Sequence, residues 1–203
     1  MFYILKRCFV WLRRMRYSRG FGVQSPWAYK FVREVINNHT HYNKYDTLKQ
    51  QVFGLDKRKR KLCRFYYRMA RFINPNHIID FYPDSTAYKA YFMASSHKKP
   101  YLLVSNRTSK EQLHLFIKEL TAKTVLVRIT LEGYYEEFIN NILSSLSATS
   151  VIILEHIHKD KYTTHYWEQI IADSRIGVSF DLYYCGVLFL NTKMYKQNYI
   201  INF

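Results

Sequence analysis

Apolar positions change their spacing once along this chain, near residue 76. Before that point they recur at the three- and four-residue intervals of helices. In residues 2–16, Phe2, Ile4, Leu5, Cys8, Phe9, Trp11, Leu12 and Met15 fall on one broad side, with Lys6, Arg7, Arg13 and Arg14 opposite. Such a helix fits a membrane interface, and it equally fits a helix that caps its own domain. In GFGVQSPWAYKFVREVINN, Trp27, Phe31, Val35 and Ile36 carry a second helical stripe. Ser25 suits its N-cap and Pro26 its first turn, while Gly20 and Gly22 let the chain turn between the two helices. Residues 37–56 read as polar and irregular. Leu62, Phe65, Tyr66, Met69 and Phe72 then predict a long basic helix over 57–73.

From His77 onward, short apolar runs alternate with amphipathic stretches. HIIDFY, YLLVS, TVLVRI and SVIILEHI read as strands. DSTAYKAYFMASS, TSKEQLHLFIKEL, EGYYEEFINNILSSL and KDKYTTHYWEQIIAD read as the helices that follow them. This alternation predicts an α/β, Rossmann-like three-layer sandwich with a mostly parallel sheet. The runs IGVSFDLYY, GVLFL and NYIINF lie too close together for crossover helices. A parallel crossover takes about a dozen residues or more, so these last strands are expected to pair antiparallel. The chain therefore divides into a basic helical extension, 1–75, packing on or beside the core, and a Rossmann-like α/β domain, 76–203.

Charge sharpens the division. The net charge is +16; residues 1–75 hold 18 Lys and Arg against 3 Asp and Glu, and residues 76–203 hold 13 against 12. A basic face concentrated in one third of the chain points to an anionic partner. Lipid or protein is preferred to nucleic acid, because Phe2, Phe9 and Trp11 gain only where an apolar phase receives them. No apolar run is long enough to span a bilayer. The three cysteines, Cys8, Cys63 and Cys185, are scattered and spell neither a disulfide framework nor a zinc pattern. The expected location is the cytoplasm, including a peripheral position on the inner face of the membrane.

In open α/β sheets, ligands bind beyond the carboxyl ends of the strands. That rule nominates Asp80, Tyr82, Asp84, Ser85, Ser105, Asn106, Glu155, His156 and His158. Glu155 and His158 are the candidates for proton transfer. EHIHKDKYTTH collects His156, His158 and His165, but its spacing gives no converging set of ligands, and no metal is assigned. No glycine lies between Gly54 and Gly133. A nucleotide loop ordinarily needs glycine to bring backbone close to the cofactor.

GFGVQSPWAYKFVREVI, IILEHIH with YWEQI, and VSFDLYYCGVLFL with YIINF resemble, in order, segments of a family of Bacteroidetes class I S-adenosylmethionine-dependent methyltransferase-like proteins. The resemblance implies a Rossmann-like fold and an S-adenosylmethionine site. Asp80 matches the family's first-loop acid, and Asn106 stands where an acid would take the ribose hydroxyls. Glu155 and His156 stand at the paired acids, and His158 and Trp167 match. The short interval between VLVRI and SVIIL reads as a shortened or lost central unit. Bulky DFYPDST replaces the family's glycine loop. The expected function is therefore a degenerate methyltransferase-fold protein acting as a non-catalytic binding or scaffold module. The alternative is an S-adenosylmethionine-dependent methyltransferase of unknown acceptor, with Asp80 and Asn106 on the cofactor and Glu155 or His158 on the acceptor.

Overall fold

A computed structural model describes residues 2–20, 22–95, 99–105, 107–120 and 122–203. The chain begins with helix α1 (Phe2–Arg14) and a 3-10 turn (Met15–Gly20). Next come α2 (Pro26–Phe31), which runs into a π-helical turn (Val32–Ile36), α3 (Lys44–Gln51) and α4 (Lys57–Ile73). Strands and helices then alternate: β1 (His77–Phe81), α5 (Ala87–Ala94), β2 (Tyr101–Val104), α6 (Lys110–Lys118), β3 (Val125–Thr130), α7 (Tyr135–Leu143), β4 (Val151–Glu155) and α8 (Lys161–Ala172). The chain closes on β5 (Val178–Asp181), β6 (Cys185–Phe189) and β7 (Gln197–Ile200).

One seven-stranded sheet has the order β2-β1-β3-β4-β6-β5-β7. β6 is antiparallel to both its neighbours, and the other adjacent pairs are parallel. The result is the three-layer, Rossmann-like α/β fold expected from the alternation. Side chains leave each strand alternately to the two faces. On one face Ile78, Leu126, Ile153, Phe180 and Val187 pack with Phe31, Phe65 and Met69 from the N-terminal helices and with Phe92 from α5. On the other, Ile79, Val127, Ile152 and Leu188 pack with Ile117, Phe138 and Trp167 from α6, α7 and α8. Residues 26–73 thus supply one layer of the core. A Cβ on Gly186 would lie 2.3 Å from the Trp167 ring, so only glycine lets that indole lie flat on β6.

Four local expectations are corrected. Residues 37–56 contain α3, whose Tyr45 and Leu48 are buried; two apolar contacts outweigh its polar composition. β7 pairs parallel to β5, not antiparallel. The crossover rule governs consecutive strands; here the chain leaves β6 at the start of β5, passes that end, and runs up its far side. The interval between β3 and β4 holds a complete crossover through α7, and no strand is missing there. β4 ends at Glu155, which leaves His156 and His158 in the turn that follows.

The corner at GFGVQSP is structural. Gly22 has φ of 82°, a left-handed conformation, and the Ala28 N–H donates to Ser25 Oγ at 3.3 Å. Ser25→Ala is expected to lower stability by about 0.5–2 kcal/mol, measured by denaturant unfolding. An unchanged midpoint would show that water replaces the cap. α1 is attached differently from the helices after it. Val10 and Arg14 face the domain, whereas Phe9, Trp11 and Leu12 are 66%, 53% and 60% exposed. Among the described side chains of this helix, Phe9, Trp11 and Leu12 point away from the core. Among the described residues no helix is long and apolar enough to cross a membrane.

Candidate functional site

The strand path reverses direction at β1: β2 lies on one side of it and β3 on the other. Their carboxyl ends form the switch point at which such sheets bind ligands. Asp80 on β1 stands in register with Arg128 on β3, and Thr130 with Glu155 on β4. Alternation sends Asp80, Arg128, Thr130 and Glu155 to the same face, under α4 and α5.

Arg128 is the centre of this group. Its side chain is 0% exposed. Nη1 donates to Asp80 Oδ1 at 2.6 Å, Nε to Glu155 Oε1 at 2.8 Å, and Nη2 to Thr130 Oγ1 at 3.0 Å. The guanidinium lies over the Tyr88 ring, 4.3 Å from its centroid. The Tyr66 hydroxyl donates to Glu155 and the Tyr101 hydroxyl to Asp80. Burial pushes the Asp80 carboxyl up, against the pull of Arg128 and Tyr101. Burial would lower the Arg128 pKa, but Glu155 and Asp80 hold it well above the ordinary arginine value. At the mouth, Asp84 pairs with Lys59 at 3.0 Å.

The two carboxylates nominated for cofactor and catalysis, Asp80 and Glu155, are therefore brought together. They are joined through a residue that sequence reasoning passed over. A lone arginine inside the apolar run TVLVRI is the signal for it, because an arginine is almost never fully buried unless paired. Tyr82, just past β1, has φ of 50°, and His156, just past β4, has φ of 67°. Side chains at these positions hold a backbone conformation that glycine takes without strain. The glycine-type turn survives at the β1 exit, but a tyrosine stands in it, its ring tilted against that of Phe81 with centroids 4.7 Å apart.

His158 belongs to a second cluster. Its Nε2 is 2.7 Å from Asp181 Oδ2, and its Nδ1 is 3.3 Å from Thr164 Oγ1. Arg14 reaches the same carboxylate with Nη1 at 2.8 Å and Nη2 at 3.0 Å. Arg14 and His158 both lie against the Tyr183 ring. Burial alone would raise the Asp181 carboxyl; the hydrogen bond from His158 and the Arg14 guanidinium outweigh it and hold it at about 2. Glu155 and His158 thus serve separate networks. Asn106 lies outside the described residues. His156 is held in its turn by its N–H, which donates to Tyr184 O at 2.8 Å, and burial lowers its imidazole pKa. Ser85 and Ser105 accept local N–H bonds from Ala87 and Arg107. Cys63 and Cys185 are buried, and burial pushes the Cys63 thiol up to about 12, which leaves it unreactive at neutral pH. Among the described residues no three His, Cys, Asp or Glu side chains converge on a metal-sized position.

Fold and centre together define a Rossmann-like α/β protein whose switch point is closed by an internal arginine–carboxylate cluster. No protein-family model matches the chain, and no curated protein is significantly similar to it.

Proposed function

We propose that the chain is a non-catalytic, methyltransferase-like binding or scaffold module, and that Arg128 replaces ligand at its switch point. The single observation that carries this reading is the complete pairing of Arg128 with Asp80 and Glu155 at zero exposure. A cofactor's ribose or sulfonium needs a carboxylate with free lone pairs and a backbone it can approach. Asp80 spends its oxygens on Arg128 and Tyr101, and Tyr82 and Pro83 stand where glycines would give access. The residues present do not fit S-adenosylmethionine, so no chemical step is derived through it. Glu155, bound by Arg128 and Tyr66, is not placed to accept a substrate proton.

Calorimetric titration with S-adenosylmethionine tests this. The expected result is no binding tighter than the millimolar range, about −4 kcal/mol. A micromolar dissociation constant would restore the alternative, a methyltransferase acting on an acceptor still to be found.

The partner of the module is an anionic surface, met through the N-terminal basic helices, with lipid favoured. What supports lipid over nucleic acid is the mounting of α1. Its Arg14 is spent on the domain, while Phe9, Trp11 and Leu12 face outward. Nucleic acid phosphates give such an apolar ridge nothing to enter, whereas a bilayer interface does. The mounting of α1 supports a working position at the inner face of the membrane.

A further inference from the structure

A cleft of about 800 Å³ lies between α1 and α4 at the carboxyl end of the sheet. Arg33, Lys57, Arg58 and Lys61 line it, and Glu34 is the one acidic side chain among its described lining residues. Aromatic rings contact two of these cations. The Arg58 guanidinium lies 4.2 Å from the centroid of Tyr184, and Lys61 Nζ lies 4.1 Å from that of Phe203. Ring faces position a cation without cancelling its charge. Asn37, also in the wall, leaves its buried Nδ2 donor without a partner among the described residues. The cleft therefore offers donors and positive charge to an oxyanion. Trp11 forms part of its rim and is more than half exposed.

We propose that this cleft binds the phosphate of an anionic phospholipid headgroup while the Phe9, Trp11 and Leu12 ridge enters the same leaflet. The proposal rests on the membrane reading above and deepens it. A phosphate at the bilayer surface lies only a few ångströms from the acyl boundary that a helix of this kind reaches, about 5–10 Å deep. A cationic cleft with Trp11 on its rim, and Phe9 and Leu12 exposed on the same helix, match that step from charge to hydrocarbon. Each basic residue near an anionic membrane adds an attraction that salt screens, and the ridge adds a contribution that salt does not screen.

The test uses the full chain with phosphatidylcholine vesicles, with and without phosphatidylglycerol, at low and near-physiological salt. Co-sedimentation and tryptophan emission are the readouts, with Trp11→Phe identifying the Trp11 signal. The parent protein is expected to sediment only with the phosphatidylglycerol vesicles, and its Trp11 emission to move to shorter wavelength. Arg33→Glu with Lys57→Glu should weaken vesicle binding about tenfold or more. Lys123→Glu with Lys193→Glu, the same charge change at the opposite end of the sheet, should leave most of it. Trp11→Ala should weaken vesicle binding at unchanged charge. If the parent stays in the supernatant with both vesicles, the membrane reading itself fails. If it binds but the two double variants lose affinity equally, membrane attachment stands and the headgroup cleft is overturned. Binding of free glycerol 3-phosphate without vesicle association overturns the lipid source. Tighter binding to duplex DNA that Trp11→Ala does not affect overturns it in favour of nucleic acid.

Discussion

Replacing Arg128 with methionine is expected to destabilise the protein by about 3–5 kcal/mol, the largest effect of any single substitution considered. Methionine nearly fills the space, so the cost is electrostatic rather than a cavity. Asp80 and Glu155 would be left facing each other, buried, with only tyrosine hydroxyls as donors. Breaking one side of a buried ion cluster leaves uncompensated charge, whereas removing all of it is often neutral. The triple variant Arg128→Met, Asp80→Asn, Glu155→Gln should therefore recover much of the loss. Urea unfolding of the single and triple variants checks both statements. If the triple variant is no more stable than the single one, stranded charge is not what Arg128→Met costs.

The same substitution has a pH signature. In the parent, burial already holds the Asp80 pKa above its ordinary value. Without the guanidinium the shift grows, and the folded state binds more protons than the unfolded one. Stability then falls as pH rises, so the deficit of Arg128→Met should be greatest at neutral pH and shrink toward about pH 4. A deficit that does not change with pH would mean that the lost packing, not the stranded carboxylates, sets the cost.

Acid should act on the Asp181 cluster in the opposite sense. The folded pKa of Asp181 is about 2, below the ordinary carboxylate value of 3.8. Its pairing with Arg14 and His158 thus contributes about 2 kcal/mol at neutral pH, lost as pH falls from about 4 to 2. Arg14→Ala should remove most of that acid-dependent loss and lower stability at pH 7 by a similar amount. It should also speed amide exchange through residues 2–14, because this clasp ties α1 to the domain. Equilibrium unfolding at a series of pH values, with hydrogen exchange of the helix, measures both effects. Equal acid loss in parent and variant would remove Asp181 from the account.

Patterning alone was enough for the layered α/β architecture and for most element positions, because burial imposes periods of two and of three to four residues whatever the partner. The 57–73 helix and the Ser25–Pro26 helix start were legible in this way, since caps and stripes are local. α3 was not, because its two buried residues, Tyr45 and Leu48, need a tertiary surface to bury against. The parallel β7 was not, because pairing between strands that are not consecutive leaves no local trace. Asp80 and Glu155 were legible as strand-end acids. Their common tie to Arg128 was not, because it depends on β1, β3 and β4 lying side by side in one register. The amphipathic character of residues 2–16 was plain from spacing. That Arg14 would dock while Phe9, Trp11 and Leu12 face outward was decided by Asp181, some 167 residues away from Arg14 in the chain, because a buried carboxylate there requires a partner and the helix supplies it.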